Sequence, residues 1–304
     1  MSDTALFAPA TVELRPLIER GSGLRRWITP VLSLAILAAA LWQLRHLDLG
    51  TVFRDLPASP AFWLVFVAGY MALPVGEWLI YRRLWQLPAT GLGALLRKRI
   101  ANEIVLGYSG EVYFYGWARR HARLAAAPFG VIKDVTILSA TVANAITVAL
   151  MLVTWPLLSA LNLGLTEWVM ALATAIIALP SLIALLMGRR LFSCERRELW
   201  MIAGVHLGRI AVVILLTALM WRLAMPGVPI LWWLVLATLR MLVSRLPLLP
   251  NRDIVFAGLV AFVIGDAPSM SAMLVMVAGL TLATHIFLGA ALGVADLVRS
   301  ENRA

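Results

Sequence analysis

The residues best placed to do chemistry are ionised groups in apolar surroundings. Residues 100–120, IANEIVLGYSGEVYFYGWARR, hold Glu103 and Glu111 in a stretch otherwise apolar enough for lipid, with Gly107 and Gly110 in its middle and Arg97, Lys98 and Arg99 just before it. A carboxylate at membrane depth is expensive unless it meets a cation or water. For Glu111 two readings follow: it binds a headgroup amine or a proton, or it forms a salt bridge with Arg119, Arg120 or a neighbouring span. Arg209 is the second such group, in the middle of the apolar run 199–220, with His206 one turn before it on the same face. An arginine at that depth costs on the order of 3 kcal/mol on insertion scales, so its side chain should turn to the bundle interior. There its planar fork would take a lipid phosphate, or pair with Glu111, Glu77 or Asp266.

Other ionisable residues invite plainer readings. Arg240 and Arg245 stand on the approach to a proline-rich turn, and Arg245 is close enough to the end of its span to snorkel. Lys133 and Asp134 open a span, either as a local ion pair or as a gate, and Glu77 is expected to pair with the nearby Arg82 and Arg83. His206 and His285 are lone intramembrane histidines, of the kind that hydrogen-bond helices together. No His-Glu-x-x-His, phosphate-cradling glycine loop, dinucleotide fingerprint or serine elbow is present. Neither a metal nor a cofactor is expected, and an ATP-driven pump is disfavoured.

These groups need an apolar frame, and composition supplies one. Of 304 residues 62% are hydrophobic and only 14% charged, with a mean hydropathy of +0.88, against roughly 25% charged residues in soluble domains. Several apolar runs reach the ~20 residues that a helix needs to cross a bilayer. The expected fold is therefore all-α: a polytopic membrane bundle of about seven to eight spanning helices. Residues 1–26 would form a cytoplasmic amphipathic arm and 27–304 a single transmembrane domain. The net charge of +10 suggests no nucleic acid, because most Lys and Arg cluster beside spans, at 15–26, 82–99, 119–133 and 189–197. Such clusters mark cytoplasmic loops. That places the N-terminus inside, and the first span, 27–44, is expected uncleaved because the segment before it is too long for a signal peptide and apolarity continues through Leu41 and Trp42. Further spans are expected at 61–84, 131–158, 168–187, 199–220, 230–246 and 270–297. Cys194, the sole cysteine, falls in a basic loop and can form no intramolecular disulfide.

Two segments break the pattern. A helix over 104–118 would be only about 22 Å long, and its two glycines weaken it further; basic residues flank it on both sides. Segment 100–118 is therefore expected to re-enter the bilayer and leave on the same side. Residues 247–266 look similar, with Pro247 and Pro250 followed by Asn251, Arg252 and Asp253. Irregular backbone at membrane depth is tolerated where protein covers it or water fills a cavity. Paired interruptions in two halves are the pattern of inverted-repeat transporters, and they point to the binding site.

Three stretches carry a resemblance: NEIVLGYSGEVY from Asn102, VIKDVTIL from Val131, and LPLLPNRDIVFAGL from Leu246. In these the chain resembles the lysylphosphatidylglycerol synthase transmembrane region family, the flippase-like domain of the multiple peptide resistance factor type. It departs from the family where Phe114 replaces a basic residue, where Asn251 and Arg252 replace a glycine pair, and where His285 replaces an arginine. The resemblance implies lipids, or lipid-linked headgroups, moved between leaflets of a bacterial inner membrane. It implies an anionic phospholipid or a lipid-linked glycan as partner. Taken with the residue readings above, the candidate binding set is Glu111, Arg209, Asn102, Arg240 and Asp253, with Glu103, Lys133, Asp134, His206 and His285 in gating or ion-pair roles. Two alternatives stand beside translocation. One is a lipid-modifying transferase using Glu111, Asp134 or Asp253; the other is a non-catalytic membrane partner of a cytoplasmic glycosyltransferase.

Overall fold

The structure is a computed structural model that describes residues 56–105, 108–121, 129–160, 167–229 and 268–301, with single positions between 232 and 260. Among these residues every regular element is helical. They are α1 (Pro60–Trp85), α2 (Gly91–Ile104), α3 (Ser109–His121), α4 (Phe129–Ala160), α5 (Glu167–Met187), α6 (Arg196–Ala224) and α7 (Pro268–Glu301), with one 3-10 turn at Gly188–Arg190. Four stretches are long and apolar enough to cross a membrane: Pro60–Trp85, Phe129–Val153, Arg196–Ala224 and Ala272–Ala295. They coincide with four of the expected spans, and α5 falls on a fifth. The arm 1–26, the first span, Arg245 and the segment 247–266 with Asp253 lie outside the described residues, apart from Phe256 and Val260.

Local chemistry sets the boundaries. Pro60 starts α1, where its missing N–H costs nothing, and Gln86 ends it in the left-handed region at φ 53°. A reciprocal capping box opens α6: the Glu195 carboxylate accepts the backbone N–H of Glu198, whose own carboxylate accepts that of Glu195. Leu64, Leu152, Leu186, Trp200 and Leu215 are exposed. Helices that are apolar outside as well as inside are what a lipid environment permits.

Helix α1 packs most extensively on α6. Gly69 faces Leu216, and Gly76 lies so close to Arg209 that a Cβ there would stand 2.9 Å from its Cδ. Advancing seven residues along α1 retreats seven along α6, so the two are antiparallel, joined through small residues as membrane helices often are. Contacts of Val135 with His206 and of Ser139 with Arg209 run in the same sense along both helices, so α4 and α6 are parallel. The C-terminus of α1 and the N-termini of α4 and α6 therefore share one end of the bundle. Arg82, Arg83, Arg119, Arg120, Arg196 and Arg197 are exposed there, the clustering expected of a cytoplasmic face.

Helices α2 and α3 form a tight hairpin at that end. The expected helix over 104–118 is in fact divided: α2 stops at Ile104 and α3 begins at Ser109, with Tyr108 at φ 71°. Asn102 Oδ1 accepts the Gly110 N–H at 2.7 Å, and Ser109 Oγ donates to the Ala101 carbonyl at 3.0 Å. These side chains satisfy helix-end groups that would otherwise be orphaned. Much of the expected basic loop 82–99 is likewise helix, because α2 begins at Gly91 and its Ala94, Leu95 and Ile100 are buried.

Candidate functional site

Glu77, Lys98 and Glu111 meet inside the bundle. The Lys98 ammonium donates to both Glu77 carboxylate oxygens, at 2.7 and 2.9 Å, and lies 3.4 Å from Glu111 Oε1. The three side chains are 3%, 8% and 18% exposed, which leaves little water to screen them. Glu77 thus does not pair with Arg82 or Arg83: on α1 those point outward, whereas Glu77 turns inward towards α2. Glu111 likewise finds Lys98 and not the exposed Arg119 or Arg120. Its Oε2 is buried with no hydrogen-bond partner. Aromatic rings close over the group, with Tyr81 and Phe114 at 4.8 Å between centroids and Lys98 Nζ 5.9 Å from the Phe114 ring.

Two adjoining cavities lie deeper. The first, of about 220 Å³, is lined by Tyr70, Arg99, Glu103, Arg240 and His285 among apolar residues. The second, of about 140 Å³, is lined by Arg209 and Arg240 and shares Leu73, Val213 and Thr217 with the first. Gly69 and Tyr70 sit near the middle of Pro60–Trp85, Val213 near the middle of Arg196–Ala224, and His285 near the middle of Ala272–Ala295. Wherever these helices cross a bilayer, the cavities lie near its midplane. Tyr70 organises the wall: its hydroxyl is 2.7 Å from His285 Nδ1, and Arg99 stacks 4.2 Å from its ring while donating to its carbonyl. Arg209 Nη2 donates to Ser139 Oγ at 3.2 Å, and its buried Nε has no partner.

The remaining sequence candidates divide between the cavity wall and structural contacts. Asn102 holds the hairpin turn, and Glu103 lines the larger cavity. His206 Nε2 lies 3.2 Å from the Val135 carbonyl, joining α6 to α4. Lys133 and Asp134 are 3.4 Å apart but are chiefly a latch on the turn before α6. Asp134 Oδ2 accepts the Ser193 and Cys194 N–H groups at 2.6 and 2.7 Å, and Lys133 donates to the Leu191 carbonyl. The residues missed by sequence reasoning are Lys98, Arg99 and Tyr70. Their signal was the Arg-Lys-Arg triplet at 97–99, which reads as a topology marker until the helix phase of α2 separates its side chains.

The latch gives a first testable consequence. Burial, then the hydrogen bond and charge of Asp134, push the Cys194 thiol up to about 12. A raised thiol pKa keeps the reactive thiolate scarce until the pH is high. Maleimide labelling of this sole cysteine, followed by intact mass, should therefore keep accelerating beyond pH 9, and Asp134→Asn should speed it several-fold at pH 8. A wild-type rate that levels off near pH 8.5 contradicts the assignment.

Among the described residues no group of three His, Cys, Asp or Glu is arranged to hold a metal ion. Compared with protein-family models, curated proteins and solved structures, the chain has no significant match.

Proposed function

We propose that the chain is a multi-pass membrane protein that moves a lipid, or a lipid-linked substrate, by seating its anionic headgroup in the two central cavities. The observation that carries this reading is the convergence of Arg99, Arg240 and Arg209 on adjoining hollows midway along helices long enough to span. Charged residues at that depth are costly and mark substrate pathways, and guanidinium forks suit phosphate. Helices α2 and α3, at about 20 Å each, are too short to cross comfortably, so the hairpin enters from the arginine-rich end and returns to it. Arg99 and Glu103 are thereby delivered to the cavity wall. The family resemblance, resting on its three short stretches, points to the same substrate class and to a bacterial inner membrane with the N-terminus inside. A transferase reading loses one of its bases, because Asp134 already serves the Ser193 and Cys194 backbone.

Leaflet-specific quenching of fluorescent anionic phospholipids in reconstituted vesicles tests the proposal. Arg240→Gln and Arg209→Gln should each slow movement about tenfold, since a charge-assisted hydrogen bond is worth ~1.5–3 kcal/mol. Unchanged rates in both folded variants, or wild-type rates no faster than protein-free vesicles, refute it.

A further inference from the structure

A third hollow shares no lining residue with the two central cavities. It is an open groove of about 960 Å³ between α4 and α6, with Leu138, Val142 and Ala145 on one wall and Leu199, Trp200 and Ala203 on the other. At one end the lining passes to Cys194, Glu195 and Arg196, at and just after the turn that the Asp134 latch pins. We propose that this groove is a binding site for one phospholipid, its acyl chain between α4 and α6 and its phosphate at Arg196.

The polarity gradient matches an amphiphile. Since α4 and α6 are parallel, residues 138–145 and 199–203 run inward from the arginine-rich end, so the mouth is charged and the walls below it apolar. The Glu195 carboxylate is engaged by the α6 N-terminus through its capping box, so its charge is largely answered there. Arg196 lines this end, and in the sequence around it Arg190, Arg196 and Arg197 outnumber Glu195 and Glu198, an excess of positive charge complementary to a phosphate. A transmembrane helix from another protein is a poorer fit. Its apolar surface would leave the Arg196 guanidinium unanswered, whereas a phosphate answers it. The site depends on the chain crossing a membrane but not on translocation by the central cavities.

The test is photolabelling of the full chain in vesicles with phosphatidylglycerol carrying a diazirine on one acyl chain, with adducts mapped by peptide mass. Adducts are expected to concentrate on 138–145 and 199–203 over the exposed Leu182 and Leu186 of α5, which report ordinary boundary lipid. Ala203→Trp fills the groove and should reduce adducts on 138–145 about tenfold, the affinity of roughly two displaced methylenes. Ala145→Phe fills it from the other wall and keeps the test decisive if the first variant misfolds. Arg196→Gln should reduce groove adducts while leaving those on α5 unchanged. Adducts spread evenly over groove and α5, indifference to both filling variants, or cross-links from the groove to a second protein chain would each overturn the proposal. Failure of lipid movement with groove labelling intact would count against the central cavities alone.

Discussion

Lys98→Met is expected to destabilise the protein by about 3–5 kcal/mol, the cost of leaving a buried ion pair without its partner. The methionine chain nearly fills the lysine's volume, so packing loss is small and the effect is electrostatic. Without the ammonium, Glu77 and Glu111 face each other from α1 and α3 with side chains 8% and 18% exposed. Arg209 lies close enough to influence Glu77, whereas Lys98 is the cation that meets Glu111, whose Oε2 has no hydrogen-bond partner, leaving Glu111 the more exposed to the loss. Removing the repulsion should therefore recover stability: Glu77→Gln added to Lys98→Met is expected to be more stable than Lys98→Met alone, although Glu77→Gln is destabilising by itself. Thermal unfolding in detergent micelles across this double-mutant cycle measures the coupling directly. A Lys98→Met protein as stable as wild type, or additive single effects, would show that the three charges are not a unit.

Hydropathy makes the long helices legible because crossing lipid would impose one requirement, apolarity sustained for ~20 positions, and four stretches meet it. Glu111 and Arg209 were legible for the inverse reason, as exceptions to that requirement. What could not be read was who answers them. Glu77 and Lys98 are 21 residues apart, and their meeting depends on the angle at which α2 folds back on α1. In the same way, a rotation of 100° per residue sends Lys98 to the ion triad and Arg99 to the cavity. Asn102, a substrate-binding candidate by sequence, accepts the Gly110 N–H, a contact set by the reach of its carboxamide to the next helix's first turn. The nearness of Asp134 to Lys133 suggested a local pair; the stronger demand came from two backbone N–H groups about 60 residues later.

The glycine before Glu111 carries the second large effect. Gly110 packs directly on the Lys98 backbone: a Cβ at this position would overlap the Lys98 carbonyl oxygen, stand 2.7 Å from its carbon and 2.8 Å from Asn102 Oδ1. None of those atoms can swing aside as a side-chain tip does, since the carbonyl belongs to α2 and Oδ1 is accepting the Gly110 N–H. Gly110→Ala must therefore prise α2 from α3, at about 3 kcal/mol or more, the upper range for overpacking. The displacement would also carry Glu111 away from the Lys98 ammonium, so the same variant should weaken the ion triad and blunt the penalty of Lys98→Met in the double variant. Gly116→Ala on the same helix is the matched control, because nothing lies within 4 Å of its added Cβ. It is expected to be neutral or to stabilise by up to ~1 kcal/mol through helix propensity. Equal melting temperatures for the two alanine variants would mean that the hairpin is not closed on this glycine, and that Glu111 reaches Lys98 by some other route.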